Sequence, residues 1–382
     1  MRKLLAIVLA LVMIFAIAAC GNNDSGGTTN NPGSGGSETP APPPPSPEGF
    51  ELALVTDLGD IDDRSFNQGA WEGLVQYARE KNITHRYYQP AGQGDDVYLN
   101  AIDVAAQNGA KVIVTPGFLF ETPIFHAQDR YPDIKFILLD GSPNNGAWDD
   151  TREEKVGSNT VAVFYAEEQS GFLAGYAAVM DGYRKLGFMG GMAVPAVVRF
   201  GHGYVQGAEV AAKELGLAAG SVTINYFYTG TFAPSPDIQT RAAAWYNDGI
   251  EVIFSCGGGI CFSIFPAAEQ AGTKVIGVDG DQSGESDTVI TSAMKLLTKS
   301  VYDKITDFYN GSFPGGQTVI YSAENLGVGL PMSTSRFNTF SQAQYDAIYA
   351  KLQSGAIKVD NRFDIGPTDL PTSIVVVNDL GG

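Results

Sequence analysis

Histidine and cysteine are scarce here, three of each in 382 residues. His85, His126 and His202 stand far apart. No H-E-x-x-H, no G-x-S-x-G elbow and no suggestively placed Cys/His pair accompanies them, which argues against an enzyme. Positive charge is also short: 24 Lys and Arg face 42 Asp and Glu, a net charge of −18. Such a surface repels phosphate backbones, so nucleic acid is not expected as a partner. Beyond the first residues no stretch is apolar and long enough to span a bilayer. No G-x-G-x-x-G follows the first strand, and the glycine cluster Gly257-Gly258-Gly259 lacks the G-K-[ST] ending of a nucleotide P-loop. What remains, 44% hydrophobic and 17% charged, is a globular composition long enough for two domains with cores of their own.

The chain begins with a leader. Arg2-Lys3 form a positive n-region, and Leu4 to Ala16 an apolar h-region too short for a comfortable span. Ile17-Ala18-Ala19-Cys20 resembles a bacterial lipoprotein cleavage box, which predicts lipidation of Cys20 and an anchor in the outer leaflet. Loss of Arg2 and Lys3 with residues 1–20 would take the mature charge from −18 to −20. Residues 21–48, rich in Gly, Ser, Thr, Asn and Pro, read as a tether, flexible at first and stiffened by Pro40 to Pro47. Outside the cytoplasm Cys256 and Cys261 could close a small disulfide loop or stay as two buried thiols. A C-x4-C pair without further ligands is poor zinc evidence, and no metal or cofactor is predicted.

The most informative stretch is 51–76. Leu52-Ala53-Leu54-Val55 reads as a buried strand. Asp57, Asp60, Asp62 and Asp63 then fall within seven positions, broken by the turn-forming Gly59. Ser65 can cap the helix that follows, whose first turn carries Phe66, Asn67 and Gln68. That turn lies beyond the carboxyl end of a strand, where open α/β sheets bind ligands. A flat ring, an amide pair and a carboxylate cluster there suit a neutral, hydrogen-bonding ligand that contains a ring. A calcium loop over 57–68 fails, because Asp62 stands where glycine is needed and Gln68 where a bidentate Glu is needed. The duller readings are a core role for the ring and solvated turn aspartates, or an Asp62 or Asp63 pair with Arg64.

Strands then alternate with amphipathic helices to about residue 139, and the rhythm restarts after a strand at Asn159–Phe164. Such alternation implies parallel sheets with right-handed crossovers. Two series of similar size predict paired lobes, 49–162 plus 288–326 and 163–287 plus 327–382, with a last helix over Gln342–Leu352. Gly171 and Gly175 would let a helix approach a strand closely. The loop Gly257-Gly258-Gly259, between a strand and a helix, offers bare backbone to a ligand.

Several motifs resemble, in order and at similar spacing, those of the basic-membrane-protein family of substrate-binding lipoproteins, which includes the purine-nucleoside-binding lipoproteins of ABC importers. They are TDLGDIDDRSFNQGAWEG from Thr56, Gly117 to Phe120, Tyr131 to Phe136, EEQSGFLAGY from Glu167, Gly190-Gly191-Met192 through Arg199-Phe200, and GVDGDQ from Gly277. The resemblance covers about Leu52 to Leu330. It implies a two-lobed α/β periplasmic-binding-protein fold of the ribose-binding type I, each lobe a parallel sheet flanked by helices, with three crossover strands as hinge. It further implies a monomer that delivers a nucleoside to an ABC permease. Phe66 and Phe200 would sandwich the base, with Phe118 in a strand-end loop. Asn67 and either Glu121 or Thr122 would read its edge, since Thr122 stands where many relatives carry aspartate. Asp57, Asp279 and Lys295 would hold the ribose, and Gly257 and Gly258 would approach the ligand through backbone. Other readings stay open: another small polar ligand in the same fold, a surface receptor feeding a sensor kinase, and a nucleoside hydrolase as the enzymatic rival.

Overall fold

The computed structural model describes residues 49–57 and 59–381. The leader, Cys20 and the 21–48 tether lie outside the described residues. The first run of elements is β1 (Leu52–Val55), α1 (Phe66–Lys81), β2 (His85–Tyr88), α2 (Asp95–Gln107), β3 (Val112–Pro116), α3 (Glu121–Arg130), β4 (Lys135–Leu139) and β5 (Thr160–Tyr165). The second is α4 (Glu167–Met180), β6 (Lys185–Gly190), α5 (Pro195–Glu214), β7 (Val222–Tyr228), α6 (Pro236–Asn247), β8 (Val252–Cys256), α7 (Cys261–Ala271), β9 (Lys274–Asp279) and β10 (Val289–Lys295). The chain ends with α8 (Leu297–Tyr309), β11 (Gln317–Tyr321), β12 (Val328–Gly329), α9 (Gln342–Gln353) and β13 (Val375–Asp379). No helix among the described residues is long and apolar enough to cross a membrane.

Period-two alternation explains why both faces of the first sheet are covered. Leu52 and Leu54 join the apolar cluster of Ala70 and Leu74 on α1 and Leu297 and Val301 on α8. Ala53 and Val55 join Ile102 and Ala105 on α2 and Ile124 on α3. The strand order is β11-β5-β4-β3-β1-β2, and the second sheet runs β12-β10-β9-β8-β6-β7-β13. Five neighbouring strands of each sheet, β5-β4-β3-β1-β2 and β10-β9-β8-β6-β7, therefore share one topology. All pairings are parallel except β10 with β12.

The chain passes between the lobes three times, after β5, after β10 and after β11. The passages lie a little beyond the expected boundaries. β5 belongs to the first sheet through Tyr165, and β10 pairs in the second sheet through Lys295, so the return comes after Lys295 instead of at residue 288. β11 and β13 were not expected. β11 is an edge strand with only Tyr321 buried, so it lacks an apolar signature. β13 carries a short β-branched run, Val375–Val377, with little buried surface, and becomes a strand by pairing with β7. Glu209 ties this tail down, accepting from the backbone of Ser373, Ile374 and Val375 and from the Ser373 hydroxyl.

The small residues of α4 face α5, not a strand. A Cβ at Gly171 would stand 2.0 Å from the Phe200 carbonyl oxygen, and one at Gly175 2.0 Å from that of Tyr204. Gly203 and Gly207 on α5 reciprocate, 2.1 Å from the Glu168 oxygen and 1.9 Å from that of Phe172. Nothing flexible can give way at such a backbone contact. We expect Gly175→Ala to force α4 from α5 and lower stability by about 1–3 kcal/mol, the range for overpacking. Denaturant unfolding of the variant against the parent protein measures this.

Candidate functional site

The candidate residues gather at the carboxyl ends of parallel strands and in the helix turns that follow. Leaving β1, the chain is organised by Asp63, not Ser65. The Asp63 carboxylate accepts from the backbone N–H groups of Ser65 (2.8 Å), Asn67 (3.0 Å) and Gln68 (3.1 Å), which caps α1. The expected Ser65 cap is absent, and the Ser65 hydroxyl instead donates across the lobes to Asp279 Oδ2 at 2.5 Å. Asn67 Nδ2 donates to Asp57 Oδ1 at 2.9 Å, and Asp57 also accepts from Gly59 N at 3.0 Å. Gly117, at φ +111°, lies so close that a Cβ would stand 2.8 Å from Asp57 Oδ2. The Asn67 side-chain oxygen is buried without a partner.

Lys295, the last residue of β10, stands at the centre, only 4% exposed. Its ammonium bonds Asp140 Oδ2, lies 3.2 Å from Glu167 Oε1 and 4.0 Å from Asp279 Oδ1. It also lies 4.9 Å from the ring centre of Phe66, 5.3 Å from that of Tyr165 and 5.4 Å from that of Phe200. The second carboxylate oxygen of Glu167 accepts from Arg199 Nε at 2.7 Å. Burial works against the charge on Lys295, but Asp140, Glu167 and Asp279 together push its pKa up. Burial raises Asp140 and Asp279, with Lys295 pulling against it. Burial would raise Glu167 too, yet Lys295 and Arg199 together bring it below the ordinary range. Glu168, buried and next to the Glu167 charge, is pushed up to about 7. A cavity of about 570 Å³ borders this cluster at Ser65, Asp279 and Lys295 and extends away from it past Arg64, Gln68 and Lys299, while Phe66, Asn67 and Phe200 do not line it. That size suits a small molecule.

Phe66, Phe200, Asp279 and Lys295 thus come together, and Asn67 and Asp57 pair beside them. Other candidates are occupied elsewhere. Glu121 accepts from Ser142 N (3.0 Å) and Asn144 Nδ2 (2.8 Å), anchoring the loop after β4, and Thr122 faces Gly146 of the same loop. Phe118 is half-buried on the short turn before α3. Gly257 lacks a side chain because Gly191 N would lie 2.7 Å from its Cβ, and Gly258 adopts φ +54°. Cys256 and Cys261 are free buried thiols, their pKa values raised by burial, that of Cys261 to about 12. The residues missed by sequence reading are Asp140, Tyr165, Glu167 and Arg199. Asp140 had a legible signal: Leu139-Asp140-Gly141 repeats the apolar–Asp–Gly ending of Val278-Asp279-Gly280, and both aspartates hold left-handed φ, +54° and +64°. Glu167 and Arg199 lie inside the motifs EEQSGFLAGY and Gly190–Phe200, where neither carries a local signal of its own.

A family model described as ABC transporter substrate-binding protein PnrA-like matches residues 50–361. The ABC transporter nucleoside-binding protein BmpA of Lactococcus lactis is 30% identical over 331 residues, 79% of this chain and 88% of the relative. An uncharacterized lipoprotein of Pyrococcus horikoshii is 28% identical over 74% of this chain and 69% of its own. Among solved structures, an ABC transporter solute-binding protein of Aeropyrum pernix superposes with TM-score 0.70 at 23% identity, covering 82% of this chain and 94% of that one. The fold is therefore the type I periplasmic-binding fold. The family is one of ABC transporter substrate-binding proteins, not enzymes, which sets the hydrolase reading aside.

Two measurements follow from the charge cluster. Lys295→Met leaves Asp140 and Asp279 buried without their cation and Glu167 with Arg199 alone, and we expect a loss of about 3–5 kcal/mol in denaturant unfolding at neutral pH. The loss should shrink at lower pH, where protons replace the ammonium. Glu168 binds its proton more tightly folded than unfolded, so its contribution is full below about 4.5 and disappears as pH rises through about 7. Glu168→Gln should therefore stabilise the protein at pH 8 by about 2–3 kcal/mol and much less at pH 5, read from unfolding midpoints at the two pH values.

Proposed function

Because the chain belongs to the Bmp family of PnrA-like ABC transporter substrate-binding proteins, we propose that it captures a purine nucleoside between its lobes and passes it to a membrane permease. The observation that carries this reading is the convergence of the Phe66 and Phe200 rings, from different lobes, on one buried cation ringed by carboxylates. The nucleoside-binding name of the Lactococcus lactis relative supports it. Aromatic faces add about 1–3 kcal/mol of stacking per base. Asp57, Asp279 and Lys295 supply acceptors and a donor for ribose hydroxyls, and such charge-assisted bonds are the strong kind. The surplus of carboxylate over cation repels phosphate, so nucleosides are preferred to nucleotides. With Glu121 engaged by the loop after β4, Asn67, whose side-chain oxygen lacks a partner, is the reader of the base edge.

Closure couples to capture because the ligand touches both lobes and so favours their closed arrangement. Cys20 carries the lipid anchor in this reading, with 21–48 holding a monomeric body off the outer leaflet. The lipoprotein name of the Pyrococcus horikoshii relative supports the anchor.

Calorimetry with adenosine, guanosine and inosine, against ribose alone, tests the proposal. We expect purine nucleosides to bind at micromolar Kd or better, about 8 kcal/mol, and ribose to give no heat. Phe66→Ala and Phe200→Ala should each weaken binding about tenfold or more. No heat with any nucleoside overturns the reading.

A further inference from the structure

Three consecutive residues of the first lobe, 64 to 66, each touch the second lobe or the strand that leaves it. The Arg64 carbonyl accepts from Gln282 Nε2 at 2.9 Å, the Ser65 hydroxyl donates to Asp279 Oδ2 at 2.5 Å, and the Phe66 ring lies 4.9 Å from Lys295 Nζ. Gln282 belongs to no previously described part of the site, yet it is 1% exposed and firmly held. Its Oε1 accepts from Val278 N at 3.1 Å, and its own N–H donates to Ser292 Oγ at 3.0 Å. Gly277 beneath it has no room for a side chain, since a Cβ would stand 2.5 Å from that Oε1. The second lobe thus aims one amide N–H group outward at a carbonyl of the first.

The recipient is under backbone strain. Arg64 holds φ +57°, a left-handed conformation that a non-glycine residue keeps only where its surroundings enforce it. Below it Asp63 fixes the first turn of α1, and above it Gln282 takes the carbonyl. The Arg64–Glu285 ion pair beside them, at 3.5 Å with Arg64 nearly half exposed, is the weak kind.

We propose that Gln282 is a positioning residue: by gripping the Arg64 carbonyl it seats Ser65 on Asp279 and Phe66 beside Lys295, and holds the lobes together before any ligand arrives. Only glutamine fits this role. One planar group must accept from Val278 N and donate to Arg64 O. Glutamate keeps the acceptor but turns an oxygen toward the carbonyl, and asparagine is one methylene short. Apparent affinity scales with the fraction of molecules already in the binding-competent arrangement, so releasing the grip weakens binding without removing a ligand contact. The affinity arm rests on the nucleoside reading; the geometric arm does not.

The test places spin labels on Asp96→Cys in α2 and Asp237→Cys in α6 of the full chain and measures the distance between them without ligand. We expect a dominant short distance in the parent, a shift to longer distances in Q282E and Q282N, and no shift in E285Q, which removes only the exposed ion pair. Guanosine affinity should fall about tenfold in Q282E while the melting temperature stays near that of the parent. Unchanged distances in both Gln282 variants overturn the proposal, as does a shift in E285Q equal to theirs. A melting temperature lowered with distances unchanged assigns Gln282 a purely structural role and overturns it too. If Q282E does not fold, Q282N decides. If the parent ignores guanosine, the nucleoside reading falls while the distances still decide this one.

Discussion

An ammonium group buried between two lobes can remain charged only if several carboxylates converge on it. Isolated burial costs several kcal/mol, and attraction offsets that only in good geometry. Lys295 meets the requirement with acids from three separate segments: Asp140 at the end of β4, Glu167 in the first turn of α4 and Asp279 at the end of β9. These segments lie on different sides of the chain crossings, so one charge ties the two lobes together. Arg199 extends the network by holding the far oxygen of Glu167. The opposite directions of Glu167 and Glu168 follow directly. Glu167 has both cations against it, and its neighbour has mainly burial and a like charge.

The two lobes reach this point by the same topology and then use it differently. Each runs a strand, a short turn after a glycine, a helix, and a second strand ending in Asp-Gly. Asp140 and Asp279 are the equivalent strand-end acids, both held in left-handed backbone. The glycine turns are not equivalent in role. Gly117 makes space for Asp57, whereas Gly257 makes space for the backbone of Gly191 and so packs the second lobe internally. Local sequence presents both as glycines just after a strand. Which of them faces a side chain of the site depends on what the neighbouring strand brings.

The same distinction separates the readings that held from those that did not. Strand β1 is legible to the residue and helix α9 to within one, because their apolar spacing and breakers are local. The edge strands β11 and β13 were not, because a strand with little buried surface is defined by its partner. Gly171 and Gly175 of α4 are visible as a close-approach pair, but that they meet Gly203 and Gly207 across a helix–helix contact is not. Glu121 was drawn toward the ligand by its neighbour Thr122, and the loop after β4 claimed it instead.

Sequence alone determined the alternation of strands and helices, the paired lobes, and the placing of Phe66, Phe200, Asp279 and Lys295 at strand ends and in helix turns, because periodicity and turn chemistry act over a few residues. Tertiary structure alone decided which charges neutralise Lys295, that Ser65 bonds Asp279 instead of capping its helix, and that Gln282 reaches Arg64 across 218 positions of chain. Those contacts join segments whose separation carries no local signature. They exist because a buried charge or amide must find a partner wherever the folded chain supplies one.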